Sequence, residues 1–158
     1  PLQNNSIPLY VKSFFEPKEE GTLITSYKEL LTDIDEKPSF IFKVDQVLIS
    51  VLPKDYSFIM EENLSDIFRI FANYSVKINL MQHAALSFSV CVDGDKRKLP
   101  LLIKELQKDY RVLYNQEVEL VTIRNYNQGT IDRVIVNKKI FVEQKSRQTA
   151  RFVVKNVD

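Results

Sequence analysis

Between residues 47 and 114 the apolar pattern switches repeatedly between a period of two and a period of 3.6, and few folds accommodate that order. Residues 47–52 form an extended run that Pro53 ends. Leu64, Ile67, Phe68 and Phe71 then recur at i, i+3, i+4 and i+7, the stripe of an amphipathic helix. Asn63 is placed to cap it and Asp66 to add negative charge to its first turn, and the helix is predicted to end near Asn73. Strands follow over 78–82 and 87–92. In the second, Phe88, Val90 and Val92 alternate with Ser87, Ser89 and Cys91, so the larger apolar groups share one face. Asp93, Gly94 and Asp95 make the turn. Leu99, Leu102, Ile103 and Leu106 give a second helical stripe, with Pro100 tolerated in its first turn. Residues 110–114 close the set. The order β-α-β-β-α-β is the split-βαβ, ferredoxin-like arrangement, an antiparallel sheet with both helices on one face.

A shorter cycle follows at once. Residues 118–123 read as a strand, Thr130 as the cap of a helix to about Val136, and 140–144 and 149–154 as strands. A β-α-β-β set buries too little surface alone and must borrow an element. The spare one is the extended run 39–44, separated from the first unit by Asp45 and Gln46. The chain is therefore predicted to be α+β: tandem ferredoxin-like units with antiparallel sheets and helices on one face, the second unit shortened. Upstream, residues 7–11 read as a strand and 14–21 as a turn-rich connector. Ser26 and Glu29 match a capping box ahead of Tyr27, Leu30, Leu31 and Ile34, which predicts a short helix before Pro38.

Catalytic chemistry is hard to find. Gly21, Gly94 and Gly129 are the only glycines, so no phosphate-cradling loop can be written. His83 has no nucleophile motif around it and reads as a packing or ligand-contact residue. Cys91, the single cysteine, excludes a disulfide framework and a Cys-based metal site, and reads as a buried apolar side chain. The acidic pairs Glu61–Glu62 and Asp93–Asp95 read as solvated turns rather than acid/base or calcium sites. Lys and Arg total 22 against 21 for Asp and Glu, and this near balance argues against a nucleic-acid binder. Phe88 does not sit in the basic, glycine-rich strand that an RNA-stacking module uses. With no apolar stretch of membrane-spanning length and no signal-peptide pattern, a cytoplasmic fragment is expected, the opening Pro1 suggesting a cut chain.

Two stretches carry more than architecture. Ile7-Pro8-Leu9-Tyr10-Val11-Lys12-Ser13-Phe14, then Pro17 and Gly21-Thr22-Leu23-Ile24, resembles the end of the aspartate kinase catalytic domain where it meets the regulatory region. Ser75-Val76-Lys77-Ile78-Asn79-Leu80-Met81, leading to Leu86-Ser87-Phe88-Ser89-Val90, resembles the paired strands of that family's first ACT domain. The resemblance implies residues 1–38 as the end of a kinase domain and linker, and 39–46 as a strand given to the second ACT unit. It implies the first ACT domain over 47–116 and the second, shortened one over 117–158.

ACT domains in this family sense amino acids, so the resemblance implies feedback control by free lysine or threonine and no catalysis by these residues themselves. ATP and magnesium would serve a kinase domain elsewhere in the parent chain. It further implies a homodimer, with effector between the loop of one subunit, at Ser57, Phe58, Met60, Asn63 and Leu64, and the strand of the other, at Asn79, Leu80, Met81, His83 and Ala84. Asn79 stands where the family usually has aspartate. That departure leaves a second reading open, a dimerisation module without effector. Neither a metal, a nucleic acid nor a membrane is expected as partner.

Overall fold

In a computed structural model the described residues are 2–5, 7–24 and 37–157. They divide into two units, Pro1–Lys37 and Pro38–Asp158. The helix expected around residues 26–34 lies outside the described residues. In the first unit a 3₁₀ turn, Gln3–Asn5, precedes strands β1 (Leu9–Val11) and β2 (Thr22–Ile24), which pair antiparallel. Gly21 enters β2 at φ +73°, a backbone region that a side chain would strain.

The second unit is built around two long strands. β3 (Ser39–Pro53) and β6 (Tyr110–Arg124) each run 15 residues and pair antiparallel along nearly their whole length. Around them lie α1 (Glu61–Asn73), β4 (Ile78–Ala84), β5 (Ser87–Asp93), α2 (Lys98–Asp109), α3 (Gln128–Ile135), β7 (Lys138–Lys145) and β8 (Thr149–Asn156). The result is a six-stranded sheet in the order β4-β5-β3-β6-β8-β7. Residues 39–44 and 47–52, read from sequence as two runs, are thus halves of one strand. So are 110–114 and 118–123. Ser39–Lys43 pairs with Arg124–Leu120, and Leu48–Pro53 with Asn115–Tyr110.

The break that sequence places at Asp45 and Gln46 is a bulge rather than a loop. The register shifts between Lys43 and Gln46 and again between Gln46 and Leu48. Asp45 takes φ +53° on β3 and Glu117 φ +56° on β6, so both strands are deformed where the halves of the sheet meet. At Gly94 the peptide N–H donates to the Asp45 carbonyl at 2.8 Å. A Cβ there would stand 2.5 Å from that oxygen, which is why the turn after β5 needs glycine.

Each half buries one helical face. Val47, Ile49, Val51, Phe88, Val90 and Val92 pack with Ile67, Phe71, Leu102 and Leu106 of α1 and α2. Val121, Ile123, Phe152 and Val154 pack with Ile131 and Val134 of α3. The second half has one helix where the first has two, and Phe40 and Phe42, stacked at 6.5 Å, stay partly exposed. The opposite faces close on each other. Leu48, Leu80 and Cys91 of the first half share a buried cluster with Val118, Leu120, Val142 and Val153 of the second. A curled sheet with helices outside and its helix-free faces meeting inside therefore replaces two separate sheets.

Two helix starts differ from expectation. α1 begins at Glu61, and Asn63, two residues inside it, accepts from the Met60 N–H through Oδ1 at 2.9 Å. α3 is capped by Asn127, whose Oδ1 accepts from the Thr130 N–H at 2.9 Å while Thr130 Oγ1 accepts from the Asn127 N–H. Thr130 is the reciprocal member of a capping box rather than its first residue.

Candidate functional site

The loop ahead of α1 presents Tyr56, Phe58 and Met60 to solvent at 77%, 63% and 53% exposure. Tyr56 has φ +61°, and Ser57 donates to Asp55 Oδ1 through its N–H at 3.1 Å and its hydroxyl at 2.7 Å. Those bonds from Ser57 hold the Asp55 carboxyl below its usual range. Buried Ile59 anchors the loop, donating its N–H to the Ala85 carbonyl at 2.9 Å. The loop therefore lies beside the β4–β5 turn of the same chain. Met81, His83 and Ala84 are exposed on β4, an edge strand.

Other expected site residues are committed elsewhere. Leu80 is 2% exposed in the inner cluster, and Leu64 packs partly buried against the helix-side core. Asn63 is occupied by the Met60 N–H and is not the helix cap, so its expected capping role is corrected. Glu61 and Glu62 occupy the first turn of α1, and their charge would oppose an effector carboxylate placed there.

Asn79 is the centre of a polar network. Its Oδ1 accepts from Lys43 Nζ at 2.9 Å, and its Nδ2 donates to Gln46 Oε1 and to Asp93 Oδ1, each at 2.8 Å. Gln46, 2% exposed, donates to Asp93 Oδ1 at 2.9 Å and to the Val44 carbonyl at 3.1 Å. Hydrogen bonds from Gln46 and then Asn79, with the Lys43 ammonium 3.5 Å away, hold the Asp93 carboxyl below its usual range. The Asn79 carbonyl accepts from Arg151 Nη2 at 2.8 Å, and the Met81 carbonyl from Gln144 Nε2 at 2.7 Å. Asn79 and the Met81 carbonyl, both at expected effector positions, thus have acceptors already engaged by this chain's own Lys43, Arg151 and Gln144. Nothing in the sequence pattern announced this: Lys43, Gln46 and Arg151 come together only because β3 bulges and the sheet curls.

The network borders a cleft of about 370 Å³ over the helix-free face of the second half, with Ile41 and Leu120 as its apolar floor. A wider groove of about 790 Å³ runs between α2 and the two bulges, past Leu99, Pro100, Ile103 and Tyr114. Burial, with Asp93 nearby, pushes the Cys91 thiol up to about 12, so the thiolate that nucleophilic chemistry needs is suppressed. Among the described residues no group of three His, Cys, Asp or Glu is placed to hold a metal ion, and no helix is long and apolar enough to cross a membrane.

No family model and no curated protein matches the sequence. Solved structures match the fold. The Clostridium acetobutylicum aspartate kinase, described as an allosteric enzyme, aligns over 98% of this chain and 39% of its own, with a TM-score of 0.79 and 18% identity. E. coli aspartokinase III in complex with lysine and aspartate aligns over 97% of this chain and 36% of its own, with a TM-score of 0.68 and 19% identity. The regulatory subunit of aspartate kinase from Thermus flavus aligns over 73% of this chain and 86% of its own, at a TM-score of 0.52 and 10% identity. The chain thus spans under two-fifths of the Clostridium and E. coli kinase chains, and it has the fold of the regulatory region of aspartate kinases.

Proposed function

We propose that this chain is the regulatory part of an aspartate kinase: a non-catalytic pair of ACT modules that couples a free amino acid to the activity of a kinase domain elsewhere in the parent protein. One observation carries the reading. In chain order α1, β4, β5 and α2 of the first module fall between β3 and β6, the two neighbouring central strands that both modules share, and that whole architecture aligns with an allosteric aspartate kinase over 98% of the chain. Lysine is the first candidate effector, because a structural relative is a kinase solved in complex with lysine; threonine is the second. ATP and magnesium serve the kinase domain, and the working compartment is the cytoplasm.

Two chains pair through the β4 edge and the loop before α1. Tyr56, Phe58, Met60 and Met81 are exposed apolar groups there, and a specific two-fold interface of standard size would cover about 1,200–2,000 Å² in total. The internal engagement of Asn79 and of the Met81 carbonyl favours a second reading, in which this edge dimerises the chains and holds no effector.

Calorimetric and thermal titration of the chain with lysine and then threonine separates the two. A ligand at a hundred times its Kd should raise the melting temperature by about 5–11 °C and strengthen the dimer, since the site spans two chains. A dimer unmoved by either amino acid at millimolar concentration leaves the second reading standing. A monomer unmoved by both removes the basis for either.

A further inference from the structure

The helix-free face of the second half gathers positive charge that the fold does not spend. On β6, Thr122 and Arg124 stand opposite Ile41 and Ser39 of β3 on one side and opposite Arg151 and Thr149 of β8 on the other. Residues directly opposite in a ladder share a face, and all of these but Ser39 line the cleft of about 370 Å³, together with Lys43 and Asn79. Three of the eight lining residues are cations and none is a carboxylate. That is a local excess in a chain whose formal charge is only +1.

The three cations are not equally satisfied. Lys43 is balanced by Asp93 at 3.5 Å. Arg151 donates to a neutral acceptor, the Asn79 carbonyl, and its buried Nε has no hydrogen-bond partner among the described residues. Arg124 is exposed and, like Arg151, has no carboxylate within ion-pair distance among the described residues. The nearest acid on β7, Glu143, lies in the adjoining cavity and pairs with Lys145 at 2.6 Å. A guanidinium left without an anion, beside threonine hydroxyls and above an apolar floor, matches the needs of an oxyanion.

We propose that this cleft binds a compact oxyanion, a phosphate or a carboxylate carried on a small molecule, between Arg124 and Arg151 with Thr122 and Thr149 as hydroxyl donors. The site lies within one chain and on the helix-free face, so it does not depend on the amino-acid reading or on a dimer. Because Arg151 also ties β8 to β4 through the Asn79 carbonyl, an anion that draws on Arg151 acts on the contact between the two halves of the sheet.

Calorimetry of the 158-residue chain with inorganic phosphate and separately with succinate, each against sodium chloride at equal ionic strength, tests the site. Saturable binding of either probe above the chloride control is expected, and which one binds tells phosphate from carboxylate chemistry. Arg124→Gln, at an exposed position, should weaken that binding about tenfold or more with the melting temperature retained, and Arg151→Gln should weaken it at least as much. Glu143→Gln should not weaken it. Absence of saturable binding by both probes, or binding that survives Arg124→Gln unchanged, overturns the proposal. Lysine and threonine titrations repeated on Arg124→Gln read the other site alone, so the two proposals fail separately.

Discussion

Asn79, read from sequence as a ligand contact, is held by this chain's own side chains once the chain is folded. Its side chain bonds to Lys43, Gln46 and Asp93, and none of these is near it in sequence. Asp93 shares that network and its carboxyl titrates below the ordinary 3.8. A depressed carboxyl contributes stability that is present above its unfolded value and lost as pH falls through the folded one. Asp93→Asn should therefore lower stability by about 0.5–1.5 kcal/mol at pH 7, the worth of ordinary hydrogen bonds, because this carboxylate is largely exposed. The difference from the unmutated chain should shrink below about pH 4, as urea melts at pH 7 and pH 3 would show. A constant difference would mean the carboxylate charge is not what matters. Cys91 offers a simpler check. With its thiol raised to about 12 and its side chain buried, alkylation at pH 8 should be undetectable in the native chain and complete in urea.

Among the elements, the helices and most strands were legible because their apolar periods are clean. Leu64, Ile67, Phe68 and Phe71 did place α1, and the alternation around Phe88 did place β5. What sequence could not show was continuity. Asp45 and Glu117 carry left-handed backbones inside strands, and a short polar interruption looks the same in sequence whether it is a turn or a bulge. The caps misled for a related reason. Asn63 and Thr130 both face back toward the helix start from inside it, and only geometry tells the two ends of a capping box apart. The Asn127–Thr130 pair secures α3, which is only 8 residues long. Asn127→Ala should therefore cost about 1 kcal/mol, with Asn127→Gly costing a few tenths. Equal losses for the two, measured by thermal melts, would shift the credit from the cap to packing.

For the whole molecule, the inner cluster is what joins the two modules. Leu48, Leu80 and Cys91 meet Val118, Leu120, Val142 and Val153 across the curl of one sheet, so a displacement of either half is felt by the other. That is the property the proposed regulatory role needs, since an effector controls a distant site only by favouring one arrangement of a shared element, a coupling typically of about 1–3 kcal/mol. The sequence motifs reached this reading through resemblance. The side-chain partners of the expected effector residues were not legible, because they depend on how β4 lies against β7 and β8.

The most direct measurement is the rate of ATP-dependent aspartate phosphorylation by the complete gene product, with and without Pro38–Asp158, across a lysine and a threonine titration. Turnover is expected in both forms, with a response to one amino acid only when these residues are present. A response that persists after their removal, or a complete product that does not phosphorylate aspartate, would contradict the proposed function.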